Sequence, residues 1–153
     1  MRIEVEKALR LVAGQCSRRE MCRADVVAKL RQWELSEREI GEVMVFLEKQ
    51  RFVDDVRFAR AYVQDKFRFR HWGKLKIEQQ LRLKQLPASV IAEALAALPD
   101  ESYDEACLTL LRQKDKSLKE PDPYKRRAKL CRFALGKGFD YDLVTRCVER
   151  ILA

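Results

Sequence analysis

The sequence predicts an all-α chain, built from tandem repeats of three-helix modules that form an elongated, curved array. Three observations carry this. Val26, Leu30, Leu35, Ile40, Met44 and Leu47 recur 51 residues later as Ile77, Leu81, Leu86, Ile91, Leu95 and Leu98. A further 53 residues gives Leu130, Ala134, Phe139, Val144, Val148 and Ile151, so all three sets stay apolar at helical spacing. No stretch shows the alternation of a half-buried strand. Five Gly and four Pro in 153 residues leave little room for long loops, and 37% charged residues suit helices with wide solvated faces. A period near 50 implies modules that bury their apolar faces together. The expected modules are 1–53, 54–99 and 100–153.

In the first module, a helix over Glu4–Ala13 gathers Val5, Ala8, Leu9 and Val12 on one face. Gly14 is placed to close it in the left-handed conformation. Ser17-Arg18-Arg19-Glu20 reads as a capping box for a second helix carrying Cys22, Val26, Val27 and Leu30. Ser36-Glu37-Arg38-Glu39 opens a third, with Ile40, Val43, Met44 and Leu47 as its stripe.

The second module begins at Asp54 in the segment Phe52-Val53-Asp54-Asp55-Val56-Arg57-Phe58-Ala59. Asp54 fits an N-cap, and Asp55 lies in the favourable field of the first turn. Val53 and Phe58 suit a hydrophobic staple. Trp72-Gly73 breaks the chain, Ile77 and Leu81 mark the next helix, and Pro87 fits the start of the one after. Ile91, Ala94, Leu95 and Leu98 supply its buried stripe. In the third module, Ser102-Tyr103-Asp104-Glu105 reads as a further capping box, with Leu108 and Leu111 on the apolar face. Ser117–Tyr124, with Pro121 and Pro123, is the longest predicted loop. Leu130, Cys131 and Ala134 follow, then Gly136 and Gly138, and Asp140 caps the last helix.

The five cysteines (Cys16, Cys22, Cys107, Cys131, Cys147) form no C-x-x-C pair, and His71 is the single histidine. That spacing gives no zinc site, and neither a metal nor another cofactor is expected. Cys22, Cys107, Cys131 and Cys147 fall on apolar helical faces, and the odd count of thiols points to a reducing, cytoplasmic setting. No apolar run approaches membrane-spanning length, and the charged N-terminus does not read as a secretory signal. Walker-type phosphate-binding sequence is absent. Asp54 and Asp55, adjacent on a helix, diverge by about 100° and make a poor acid/base pair, so catalysis is not expected.

The net charge of +8 is concentrated. Lys66, Arg68, Arg70, Lys74, Lys76, Arg82 and Lys84 face one acid, Glu78, over 66–84. Lys125, Arg126, Arg127, Lys129, Arg132 and Lys137 face none over 125–137, and each stretch nets +6. One basic run is ordinarily a solvated face. Two, in corresponding halves of successive repeats, suggest a polyanionic partner: nucleic acid, or a filament carrying it. The cations and aromatics of Lys66-Phe67-Arg68-Phe69-Arg70-His71-Trp72 suit base stacking with phosphate neutralisation. The plainer reading places Phe58, Tyr62 and Phe69 on one buried helical stripe, because helical spacing usually means packing.

Taken together, the segment Phe52–Ala59, the run Gly73-x-x-x-Ile77-x-x-x-Leu81-x-x-Lys84-x-Leu86 and the threefold repeat resemble the RecX family, regulators of the RecA recombinase. The resemblance spans nearly the whole chain. It implies tandem three-helix modules that bind the RecA filament within its helical groove and inhibit it, with DNA a weaker or indirect partner. It brings no catalytic residues. The chain departs from the family at Gln85, where a glycine often follows the preceding lysine, and at Trp33-Glu34, whereas Lys137-Gly138 keeps the pattern. The resulting expectation is a monomeric, non-catalytic filament regulator, free of any membrane, touching its target through the basic stretches except Lys137. A helix-turn-helix DNA reader, with Gln79, Gln80, Arg82 and Gln85 at base edges, is the alternative.

Overall fold

A computed structural model describes residues 2–153. Among them the chain forms helices and no strands: α1 Val5–Arg18, α2 Arg23–Gln32, α3 Glu37–Lys49, α4 Asp55–Arg70, α5 Lys74–Leu83, α6 Ala88–Ala96, α7 Asp100–Ser117, α8 Pro123–Gly136 and α9 Tyr141–Leu152. The order yields three successive helical trios. The repeat pattern maps onto the interior. Of its eighteen apolar positions only Leu95 and Ile151 are half-exposed, and the rest are buried.

The turn between the second and third helix of each trio shows why the repeat is legible. Glu34, Gln85 and Gly138, spaced by the same 51 and 53 residues, all take positive φ of 64°, 63° and 100°. In each turn the next residue's amide returns to a carbonyl five residues back: Leu35 to Leu30 at 3.2 Å, Leu86 to Leu81 at 3.4 Å, Phe139 to Ala134 at 3.3 Å. This closes the helix end, and the residue donating that amide is buried each time. Glu34 and Gln85 therefore hold the turn that glycine would hold, at a backbone cost of about 1–2 kcal/mol each. The third helix then starts from a repeated place. Ser36 makes the predicted capping box with Glu39, and Asp140 accepts from the Leu143 amide. Pro87, at the equivalent position, lies just before α6 and offers its carbonyl to Val90 and Ile91.

Several local expectations fail. Gly14 does not end α1, which runs on to Arg18. Added side-chain atoms at Gly14 would meet nothing, and nothing there interrupts the helix. Ser17 is consequently inside α1, its hydroxyl on the Ala13 carbonyl, and it caps nothing. The second helix starts at Arg23 with Cys22 as its N-cap residue. Ser102 likewise lies within α7, which begins at Asp100 after Pro99. Asp100 and Glu101 occupy the first turn, where the helix dipole favours them. The predicted loop shortens, because Pro123 and Tyr124 form the first turn of α8 under an Asp122 cap.

The chain packs as two compact units. The first comprises residues up to Ala61 with Leu81–Ile91, and the second Tyr62–Gln80 with Ala92–Ala153, so the helices of the middle trio contribute to both. The first unit's core joins Ala8 and Val12 of α1 to Val26 and Leu30 of α2 and to Ile40, Val43, Met44 and Leu47 of α3. In the second, Tyr103 centres an aromatic cluster. It stacks on Phe67 at 5.8 Å between centroids and tilts against Phe139 at 5.2 Å. Its hydroxyl accepts from the Lys74 amide at 2.8 Å, satisfying a free donor at the start of α5. Burial pushes this phenol up to about 12.

Candidate functional site

The Asp54-Asp55 pair divides its work between two helices. Asp54 Oδ1 accepts from the Arg57 amide at 3.1 Å, the cap read from the sequence. Asp55 Oδ1 reaches instead to the Arg23 amide at 2.8 Å and supplies α2 with the side-chain cap that Cys22 lacks. Arg57 ties the segment together. Its Nε donates to Glu20 at 2.6 Å, and its other nitrogens donate to the carbonyls of Arg51 at 3.0 Å and Phe52 at 3.3 Å. The Arg57 amide holds the Asp54 carboxyl below its ordinary value. The motif is a joint within the first unit. Its long-range half was invisible to local pattern, because Asp55 and Arg23 are 32 residues apart.

The first basic stretch divides by what its cations touch. Lys66 Nζ lies 5.2 Å from the Tyr62 ring centre and 5.3 Å from that of Trp72, and Lys76 approaches Trp72 at 4.8 Å. Lys74 sits 4.7 Å over Tyr103, with the Asp100 carboxylate at 3.9 Å. In the first unit, Lys84 pairs with Asp25 at 3.3 Å and covers the Phe58 ring at 5.7 Å. These lysines are half-exposed and engaged with the chain's own rings. Arg68 and Arg70, at the end of α4, are exposed and form no ion pair among the described residues; Arg82 is exposed on α5. The aromatics split too. Phe58 is buried, Tyr62 and Phe67 half-buried, but Phe69 stands 74% exposed. The buried stripe expected through Phe58, Tyr62 and Phe69 therefore stops short of Phe69, because α4 carries that ring to the solvent side of its last turn.

The second stretch sorts in the same way. Arg126 is structural. Its Nε meets Asp115 at 2.6 Å, and its terminal nitrogens donate to the carbonyls of Asp115 at 2.6 Å, Glu120 at 2.9 Å and Leu118 at 3.3 Å. One guanidinium thus organises the whole α7–α8 connection, a fork geometry lysine cannot reproduce. Lys129 pairs with Glu120 at 2.7 Å, which lowers the Glu120 carboxyl. Lys125, Arg127 and Arg132 are exposed and form no ion pair among the described residues. Lys129 and Arg132 also line a shallow cleft of about 250 Å³ with Lys114, Leu118 and Phe133.

The remaining chemistry-bearing groups are quiet. His71 is exposed in a left-handed turn with φ 58°. Cys22, Cys107 and Cys147 are buried free thiols, and burial pushes Cys22 up to about 11. Among the described residues no cluster of three or more His, Cys, Asp or Glu side chains is placed to hold a metal ion, and no helix is long and apolar enough to cross a membrane. Gln85, offered as a base-reading residue, lies in the turn after α5 and not on a helix face.

One contact had no sequence signal. Within the second unit the Gly73 amide donates to Lys137 O at 2.7 Å, and the Leu75 amide to Gly138 O at 3.0 Å. A Cβ on Gly73 would lie 2.4 Å from backbone atoms of Gly138 and Phe139. The start of α5 and the α8–α9 turn meet backbone to backbone, and only glycine permits that approach.

Comparison with known proteins agrees with this architecture. Residues 54–95 match the second three-helix domain of RecX, and residues 101–148 match the third. The regulatory protein RecX of Prosthecochloris aestuarii is 30% identical over 151 residues, covering 97% of this chain and 96% of that protein. RecX of Clostridium botulinum strain Eklund 17B is 35% identical over 115 residues, or 74% of this chain. The chain spans only 53% of that longer relative, so it covers about half the length of some curated relatives it matches. The crystal structure of RecX from Lactobacillus salivarius superposes with a TM-score of 0.83 over 96% of both chains, at 22% identity, which speaks to fold alone. With both domain matches, the near full-length relative and the fold in agreement, the chain belongs to the RecX family.

Proposed function

We propose that this chain is a non-catalytic regulator that binds the RecA–DNA filament and inhibits its recombinase and ATPase activities in the cytoplasm, modulating DNA repair and the SOS response. Membership of the RecX family supports the partner, and relatives carry the name of regulatory proteins. The observation that carries the reading is the set of exposed cations that form no ion pair among the described residues: Arg68 and Arg70 in the last turn of the aromatic-rich α4, and Lys125, Arg127 and Arg132 along α8. Charged side chains left without partners are free to displace counterions from a polyanion. Inhibition follows from occupancy. Several weak contacts along one chain act nearly intramolecularly once the first is made, and a bound chain obstructs strand exchange or ATP turnover.

The test is RecA's DNA-dependent ATP turnover, titrated with the parent chain and with a variant carrying Arg68→Glu, Arg70→Glu, Lys125→Glu and Arg127→Glu. The parent inhibits, and the variant inhibits far less at equal helix content. A parent with no effect on turnover, or a variant that inhibits equally at low and high salt, refutes the reading.

A further inference from the structure

The aromatic residues near the basic stretches differ in one respect: whether the chain already uses their faces. Trp72 has lysines 66 and 76 against it, Tyr103 is packed between Phe67 and Phe139, and Phe133 has Lys114 at 5.0 Å and Lys137 at 6.0 Å. Each of these rings already has a lysine or another ring of the chain against it. Phe69 and Tyr124 are 74% and 83% exposed. Each neighbours, in sequence, exposed cations that form no ion pair among the described residues: Phe69 lies between Arg68 and Arg70, and Tyr124 lies next to Lys125 and one turn before Arg127, with the Asp122 cap of α8 on its other side. Tyr141, the other strongly exposed ring, is flanked by Asp140 and Asp142, which repel a phosphate. Exposure combined with local positive charge therefore selects Phe69 and Tyr124 among the described residues.

We infer that Phe69 and Tyr124 are stacking platforms for the bases of single-stranded nucleic acid, with Arg68, Arg70, Lys125 and Arg127 on the flanking phosphates. A free aromatic face beside a cation matches the repeating unit of a single strand, a planar base followed by an anion, whatever the sequence. A duplex keeps its bases stacked inside and offers these rings only its backbone. A protein surface can satisfy the cations but does not supply a series of unstacked rings. This deepens the filament reading by assigning the nucleic acid itself to two of its basic segments. Its test leaves RecA out, so a chain that grips the filament only through protein would pass the turnover assay and fail here.

The experiment measures anisotropy of three labelled probes of equal length: an oligo(dT) strand, an abasic strand with the same phosphates, and a duplex. The chain is assayed as the parent, as Phe69→Ala/Tyr124→Ala, and as Phe69→Trp/Tyr124→Phe. The parent binds oligo(dT) tighter than the abasic strand. Alanine at both positions weakens oligo(dT) binding at least about fivefold per ring and leaves the salt slope, the abasic strand and the duplex unchanged. The aromatic replacements retain parental affinity. Because both rings are exposed, thermal unfolding should be the same in all three proteins. Equal oligo(dT) binding by the parent and the alanine variant overturns the inference. So does an equal loss on all three probes, which would mean that the rings only shape a charged surface.

Discussion

Replacing Gly73 with alanine should destabilise the chain, while the same change at Gly14 should stabilise it. At Gly73 the new Cβ would sit 2.4 Å from the carbonyl carbon and oxygen of Gly138 and from the Phe139 nitrogen, all backbone atoms. Ordinary contact needs about 1 Å more. Opening that gap stretches the two hydrogen bonds that cross it, Gly73 N to Lys137 O and Leu75 N to Gly138 O. Losing them costs about 0.5–1.5 kcal/mol each, and residual overpacking adds about 1–3 kcal/mol. Alanine's lower unfolded-state entropy returns less than about 1 kcal/mol. The net loss should be about 1–6 kcal/mol. At Gly14, inside α1, a Cβ meets nothing within 4 Å, so alanine should gain up to about 1 kcal/mol of helix propensity. Urea denaturation followed by circular dichroism reads both as shifts in midpoint at constant slope. A Gly73→Ala protein as stable as the parent, or a destabilised Gly14→Ala protein, would refute the backbone-contact argument.

Three further outcomes follow from the side-chain geometry. Arg126→Met should cost about 1–3 kcal/mol, because it strands Asp115 and the carbonyls of the α7–α8 connection, whereas Arg127→Met should stay within about 0.5 kcal/mol; denaturant midpoints compare the two. Asp55→Ala should cost about 1 kcal/mol through α2, and hydrogen exchange should show faster opening of the Arg23 amide, 32 residues away. Asp54 has a folded-state pKa lowered from 3.8, so its ionised cap stabilises above that value and is lost as pH falls through the lowered one. The stability gap between the parent and Asp54→Asn should therefore shrink in acid below about pH 4, and a gap constant from pH 7 to pH 2 would contradict it.

Much of the fold was legible because it is repetitive and its signals are local. The apolar stripes, the caps at Ser36, Asp54 and Asp140, and the break at Trp72-Gly73 all act within a few residues. The equivalence of Glu34, Gln85 and Gly138 was legible too, since the period places two non-glycine residues where the third repeat keeps glycine. The failures share a cause. The boxes at Ser17 and Ser102 have the right letters, but propagation of α1 and the earlier start of α7 absorbed them. Glu20, read as a capping partner, is held by Arg57 from 37 residues away. At the candidate interface, sequence marked the cations as a group. It gave no sign that Arg126 is consumed by carbonyls or that Lys66 and Lys76 share a tryptophan, because such pairings exist only after folding.

The most direct test of the account is co-sedimentation of the chain with preformed RecA–DNA filaments, using the parent and the Arg68→Glu/Arg70→Glu/Lys125→Glu/Arg127→Glu variant, which keeps the structural Arg126. The account predicts that the parent pellets with filaments at physiological salt and that the variant stays in the supernatant with its helix content unchanged. A parent that remains in solution, or a variant that pellets as fully as the parent, would contradict it.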